Sequence, residues 1–238
     1  MPTVELLEGL RWLVSGLCAQ MPGHIFALGG ELLPLCARDT GIYLGFLATL
    51  AGIHSSKRGR AQFLPALPMS LVLAGGVVTM AIDGTNSWLL DLGLPHLYQP
   101  NNDLRLATGL LTGLALAAFA QPLFNRLCWC EYNEQKSIAR WKDLFFLIPL
   151  LVVCFCAVLS QNGLFLYPIA LLSTGGLVLA LSHINLIVLI SISKREMTFV
   201  DFRQLRPFFG LAIVLAPGEL LILAEIKIIM LQMFGVGI

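Results

Sequence analysis

Charge is what this chain has least of. Acidic and basic side chains make up only 12% of its 238 residues, roughly half of what soluble domains carry. Fifteen Lys and Arg against fourteen Asp and Glu leave a net charge of +1. That excludes the positive field and the basic stripe with interleaved aromatics expected of a nucleic-acid partner. Also missing are the G-x-x-x-x-G-K-[ST] phosphate loop, a G-x-G-x-x-G turn after a strand, the H-E-x-x-H metal-binding pair and the G-x-S-x-G nucleophile turn. No internal repeat is visible. Residues 1–17 hold Glu5, Glu8 and Arg11 without a basic stretch followed by a clean apolar block, so no cleavable signal peptide is expected.

Apolar residues are abundant instead: 57% of the chain, with a mean hydropathy of +0.82. They fall in long runs, so the expected partner is a lipid bilayer rather than one large soluble core. Six stretches, 38–55, 63–82, 104–122, 143–160, 164–192 and 207–236, come near or exceed the ~20 residues needed to cross. The predicted fold is all-α, an integral membrane bundle of about six transmembrane helices. Gly41 and Gly45, and Gly109 and Gly113, are G-x-x-x-G pairs, a spacing that lets helix backbones approach closely in lipid.

Lys and Arg orient the bundle. The first, third and fifth connections hold Lys57, Arg58 and Arg60; Arg126, Lys136, Arg140 and Lys142; and Lys194, Arg195, Arg203 and Arg206, eleven of the fifteen basic residues. Positive loops stay in the cytoplasm, so both termini are expected outside it, in the inner (cytoplasmic) membrane of a cell. Residues 1–37 read as an extracytoplasmic segment with an interfacial helix and a Cys/His loop, and 38–238 as the six-span domain.

The outer face receives two polar segments. "CAQMPGHIFALGGELLPLCARDTGIYLG" carries Cys18, His24, Cys36, Arg38 and Asp39 to the mouth of span 1, broken by Pro22-Gly23, Gly29-Gly30 and Pro34. "DGTNSWLLDLGLPHLYQPNNDLRLATGLLTG" begins at Asp83 and ends with Asn102, Arg105 and Thr108 on span 3. Asn102, Arg105, Gly109 and Thr112 are spaced along one helical face. Arg105, just inside the membrane, should turn to the bundle and meet an acid.

"PLCARDTGIYLGF", then "DGTN", then "NNDLRLATGLLTG", three elements in order over residues 18–113, resemble the multi-pass prokaryotic membrane proteins of domain-of-unknown-function family 2085. That family's pattern is an early Cys, C-x-R-C-T-G-I-Y-x-G, Asp-Gly-x-Thr/Asn and N-x-L-R-x-x-T-G. The resemblance implies a multi-pass protein without an assigned activity. It carries over Cys18, Cys36, Arg38, Thr40, Gly41, Tyr43, Asp83, Gly84, Asn102, Arg105, Thr108 and Gly109. Two positions depart: Asp39 stands where the family has the second Cys, and Ala19 where a His often follows the first.

Three chemistries are open at this face. Cys18, His24, Cys36 and Asp39 offer S, N, S and O donors to a divalent metal such as zinc; the bland alternative is a Cys18–Cys36 disulfide with Asp39 capping span 1. The same two cysteines suit thiol-disulfide oxidoreduction, since a thiolate beside Arg38 and a helix N-terminus is stabilised, although Asp39 opposes this. Arg38, Asn86, Asn102, Arg105 and Thr108 form a candidate site for a small anionic or lipid-headgroup ligand, with Asp39, Asp83 and Arg105 as candidate catalytic groups. Its alternative is an ion-pair network joining spans 1, 2 and 3. A rival site lies within the membrane: Glu219, after a helix break at Pro217-Gly218, with His183 as its partner, would suit a small-solute or ion transporter. Glu225 and Lys227 are expected to reach the outer interface by snorkelling. Oligomeric state is not legible.

Overall fold

The fold is that of a computed structural model, which describes residues 2–233, with side chains from Glu5 onward. Residues 234–236 of the last expected span lie outside it. The chain is all-α: α1 (Pro2–Val14), α2 (Ala37–Ser55), α3 (Leu67–Asp91), α4 (Asn102–Cys128), α5 (Trp141–Leu159), α6 (Leu166–Ile192) and α7 (Phe202–Met233). The one sheet among the described residues is a hairpin of β1 (Ala27–Leu28) and β2 (Glu31–Leu32). Its turn needs left-handed backbone at both central positions, which Gly29 (φ 60°) and Gly30 (φ 89°) provide.

α2 and α4 form the inner pair. Their two G-x-x-x-G motifs face each other: a methyl at Gly41 would come within 2.5 Å of Leu106 O and one at Gly45 within 2.5 Å of Leu110 O. On the other helix, Gly109 presses on the Arg38 carbonyl and Gly113 on that of Ile42. Lipid supplies no hydrophobic drive between helices, so this backbone approach, with the dispersion it allows, holds the pair. α5 and α6 pack on α2, α3 on α4, and α7 on α6. Outside these contacts the surface is apolar, with Leu67, Val153, Ile192 and Val214 all exposed, the inverse of a water-soluble exterior.

Five helical segments are long and apolar enough to cross a membrane: Leu67–Asp91, Asn102–Cys128, Trp141–Leu159, Gly163–Ile192 and Phe202–Met233. The first expected span folds as α2 but is not among them. It carries Arg38, Asp39 and His54 in 19 residues, and three other helices cover it, so it needs little lipid-compatible surface. α7 runs unbroken through Pro217-Gly218, correcting the expected break. The Lys227 ammonium donates to Ser15 O (2.8 Å) and Cys18 O (3.2 Å), tying α7 to the chain just beyond α1.

The three basic connections meet on one face. Residues 63 and 136 pair as an isolated bridge, as do 129 and 199; Arg58 donates to Lys136 O at 3.0 Å, and the Met197 N–H donates to Leu127 O at 2.8 Å. α2 and α6 end there in the same way. Lys57 (φ 58°) and Lys194 (φ 52°) take the left-handed position, and the next N–H reaches back to Ile53 O and Ile190 O, the Schellman ending usually given to Gly. Both cations then sit at the negative ends of helix dipoles.

Candidate functional site

The opposite face gathers the starts of α2 and α4 with the last turns of α3. Arg38 and Asp39, adjacent in sequence, are turned about 100° apart by the helix and serve different neighbours. Arg38 reaches across to α3, donating to Asp83 Oδ2 at 2.6 Å and to Ser87 Oγ at 3.4 Å. The guanidinium passes Gly84, its carbon 3.8 Å from where a Cβ would be, an ordinary contact distance. Asp83, 1% exposed, accepts a second hydrogen bond from Tyr98 Oη at 3.0 Å. Partial burial and that carboxylate hold the Tyr98 phenol above its ordinary pKa.

Asn86 works one turn further on. Its Oδ1 accepts from Leu97 N (2.6 Å) and its amide donates to Tyr98 O (2.8 Å), so it fixes the loop that presents Tyr98. On α4 the cap is Asn101, which accepts from Leu104 N at 2.7 Å. Asn102 then meets Arg105 Nη1 at 2.9 Å, the i, i+3 contact anticipated from spacing. Thr108 turns its hydroxyl onto its own helix, donating to Leu104 O at 2.9 Å.

Arg105 is the anomaly. It is 4% exposed, its Nε has no partner, and no carboxylate lies within 4 Å of its guanidinium among the described residues. The expected acid is already taken by Arg38. Arg105 is thus buried beside the Arg38–Asp83 pair with no direct ion pair of its own, and burial of a charge without a paired partner is costly. Beside them, a groove of about 280 Å³ between α3 and α4 is lined by Thr79, Ile82, Asp83, Tyr98, Leu104 and Thr108. Exposed Ile82 and Leu104 open it towards lipid.

Asp39 faces the cysteines. Cys36, at the N-cap of α2, points its thiol at Asp39 Oδ2 (3.2 Å) and its N–H at Cys18 Sγ (3.3 Å). The N-cap thus falls three residues before Asp39, which occupies the first turn. Ligand atoms of Cys18, Cys36 and Asp39 all lie within 4.8 Å of one another, and both thiols are free. Hydrogen bonding from Cys36 holds the Cys18 thiol below its ordinary pKa. That bond, burial and the Asp39 charge push Cys36 up. Two cysteine sulfurs and a carboxylate make a donor set suited to a soft divalent cation.

The structure separates His24 from these three. Its Nε2 lies 3.5 Å from Asp91 Oδ1, and burial, followed by the positive charge of Arg105, lowers its pKa. The intramembrane pair is not formed either. Glu219 accepts from Asn185 Nδ2 at 3.1 Å, while His183 bonds Leu179 O at 2.9 Å and packs against the rings of Phe46 and Phe124. Sequence reasoning missed Tyr98 and Ser87 as partners of the Arg38–Asp83 pair. Tyr98 sits in an irregular loop with no periodicity to mark it. Ser87 was findable, one turn beyond Asp83 on the same helical face.

The family model described as "Predicted membrane protein (DUF2085)" matches residues 18–119, from Cys18 into the last turns of α4. An uncharacterized protein of Methanothermobacter thermautotrophicus is 32% identical over 109 residues, covering 45% of this chain and 86% of the relative. An uncharacterized protein of Methanocaldococcus jannaschii is 29% identical over 119 residues, covering 50% of this chain and 70% of its own. No solved structure matches.

Proposed function

The chain belongs to the DUF2085 family of predicted membrane proteins, and from that premise we propose that it is a six-span protein that binds a small anion at its extracytoplasmic end. α2 is the sixth span, enclosed by its neighbours. Both termini lie outside the cytoplasm, and the membrane is the inner, cytoplasmic one. The clustering of the basic connections on one face supports this orientation.

The single observation that carries the reading is Arg105: a guanidinium 4% exposed, without a carboxylate, beside Arg38, whose charge Asp83 already neutralises. An anion brought to this pair supplies the missing charge, and guanidinium forks suit phosphate or carboxylate oxygens. The neighbouring lipid-facing groove favours a phospholipid headgroup, since an acyl chain can lie along it. Asp83, accepting from both Arg38 and Tyr98, is the counter-charge rather than a base. The test is calorimetric titration of the purified chain in detergent with inorganic phosphate and with short-chain phosphatidylglycerol. One of the two should bind the wild type, and Arg105→Gln should weaken it by roughly tenfold or more. Equal affinity in the variant sinks the reading.

A second reading rests on a separate observation, the convergence of Cys18, Cys36 and Asp39. These residues bind a soft divalent cation such as zinc, with a fourth position left to solvent or substrate. The rival for the two cysteines is disulfide exchange. Elemental analysis together with non-reducing mass spectrometry separates the two: bound metal with unlinked thiols supports the site, and a stable Cys18–Cys36 bond removes it.

A further inference from the structure

The far end of the inner helix pair carries a second cavity, about 580 Å³, with His54, Lys57, Arg60, Gln121, Asn125 and Trp129 among its lining residues. No acid lines it. Its floor is rigid. Asn125, 1% exposed, donates to Gly59 O and Ala61 O (both 2.8 Å) and accepts from Trp129 Nε1 at 3.0 Å. Gln121, one turn before, donates to Gly59 O at 3.0 Å. These amides hold the 59–61 turn against α4, so Arg60 on that turn lines the same cavity as Lys57 and His54.

Each cation is available. Lys57 makes no ion pair among the described residues. Arg60 lies 4.6 Å from the centroid of the Trp129 ring, and its one acid, exposed Glu131, is at 3.9 Å. The stronger pair of this loop, Arg58 with Asp143 at 3.2 Å, is made by a residue that does not line the cavity. His54 is anchored through Nδ1 to Leu50 O, which leaves Nε2 beside Gly59. Two permanent cations and an imidazole over a neutral amide floor, with an indole wall, match a phosphate group attached to an apolar or ring-bearing body.

We infer that this cavity is a second anion site, for a phosphate or phosphate ester, on the face opposite Arg38 and Arg105. It stands independently of the proposed outer site, since no residue is shared. Under the proposed topology it opens to the cytoplasm, and the phosphate comes either from a soluble compound or from the headgroup of an anionic lipid.

The test uses the full chain in phosphatidylcholine nanodiscs, with Trp12→Phe, Trp88→Phe and Trp141→Phe leaving Trp129 as the sole indole of the four. Pyrophosphate and AMP are titrated in one arm; in the other, phosphatidylglycerol replaces phosphatidylcholine in steps. A saturable change in Trp129 emission, as Arg60 leaves the ring for the ligand, is expected in one arm. A response to pyrophosphate or AMP identifies a soluble ligand; a response to phosphatidylglycerol alone identifies a lipid headgroup. Lys57→Gln with Arg60→Gln should shift the midpoint by roughly tenfold. Lys57→Gly is the second variant. Glycine relieves the left-handed backbone there, so weaker binding in that protein reports lost charge and not lost fold. Silence in both arms, or an unchanged midpoint in both variants, overturns the inference.

Discussion

The two ends of the α2–α4 pair bury polar groups in opposite ways. At the α4 C-terminal end, the buried amides of Gln121 and Asn125 are neutral, and they bond turn carbonyls and the Trp129 indole. At the other end, one guanidinium, Arg38, holds the buried carboxylate of Asp83, Arg105 has no ion pair, and the Nε atoms of both arginines are unpartnered. Neutral, paired groups stabilise a fold, whereas a buried charge without an ion-pair partner costs stability. The difference separates, in one helix pair, a floor of satisfied neutral amides from a buried charge with no ion-pair partner of its own.

The largest effect should come from breaking the pair that carries both ends. Gly113→Leu drives a side chain into the Ile42 carbonyl and the Phe46 amide; loss of folded protein is expected, seen as aggregation on size-exclusion chromatography in detergent. Next is Asp83→Asn, which leaves Arg38 without a counter-charge; removing one partner of a buried pair costs about 3–5 kcal/mol, read as a fall in thermal unfolding temperature. Asn125→Ala should cost about 1–3 kcal/mol by stranding Ala61 O and the Trp129 N–H, Gly59 O keeping its bond from Gln121. Arg105→Gln provides the contrast. Without ligand it should be neutral or stabilising, and a loss as large as that of Asn125→Ala would erase the distinction between the two ends.

The smallest effect concerns His24. Its folded-state pKa is depressed by burial and by Arg105, so the folded chain favours the neutral ring. That contribution is fully present above the unfolded pKa of about 6.5 and is lost as pH falls through the lower folded value. Stability should therefore decline on mild acidification, and His24→Gln should flatten that part of the profile. An unchanged slope in the variant assigns the decline to another group.

Much of this was legible along the chain. The apolar runs located α2 to α7, because helices that face lipid must be continuously apolar. The G-x-x-x-G spacing of Gly41/Gly45 and Gly109/Gly113 identified the closest helix contact, although it could not say that the two motifs meet each other. α2 was the hard case. Packed against α4, α5 and α6, it presents little surface to lipid, so it carries Arg38, Asp39 and His54 within its 19 residues. The pairing of Glu219 with Asn185 instead of His183 was equally beyond reach, since helix rotation within a bundle is set by packing on several neighbours.

The sequence alone determined the medium, the helical class and the set of charges delivered to the mouth of α2, which follow from composition and local spacing, while its three ordered motifs carried the resemblance to the family. Only the tertiary structure decided how those charges are shared. Arg38 and Asp39 read as an opposite-sign pair in the chain, but the helix turns them to different neighbours. Arg38 takes Asp83, Asp39 faces Cys36, and Arg105 is left without the acid it was expected to meet. Pairing of ions across helices depends on rotation and depth, which arise from backbone contact at four glycines and not from any one segment.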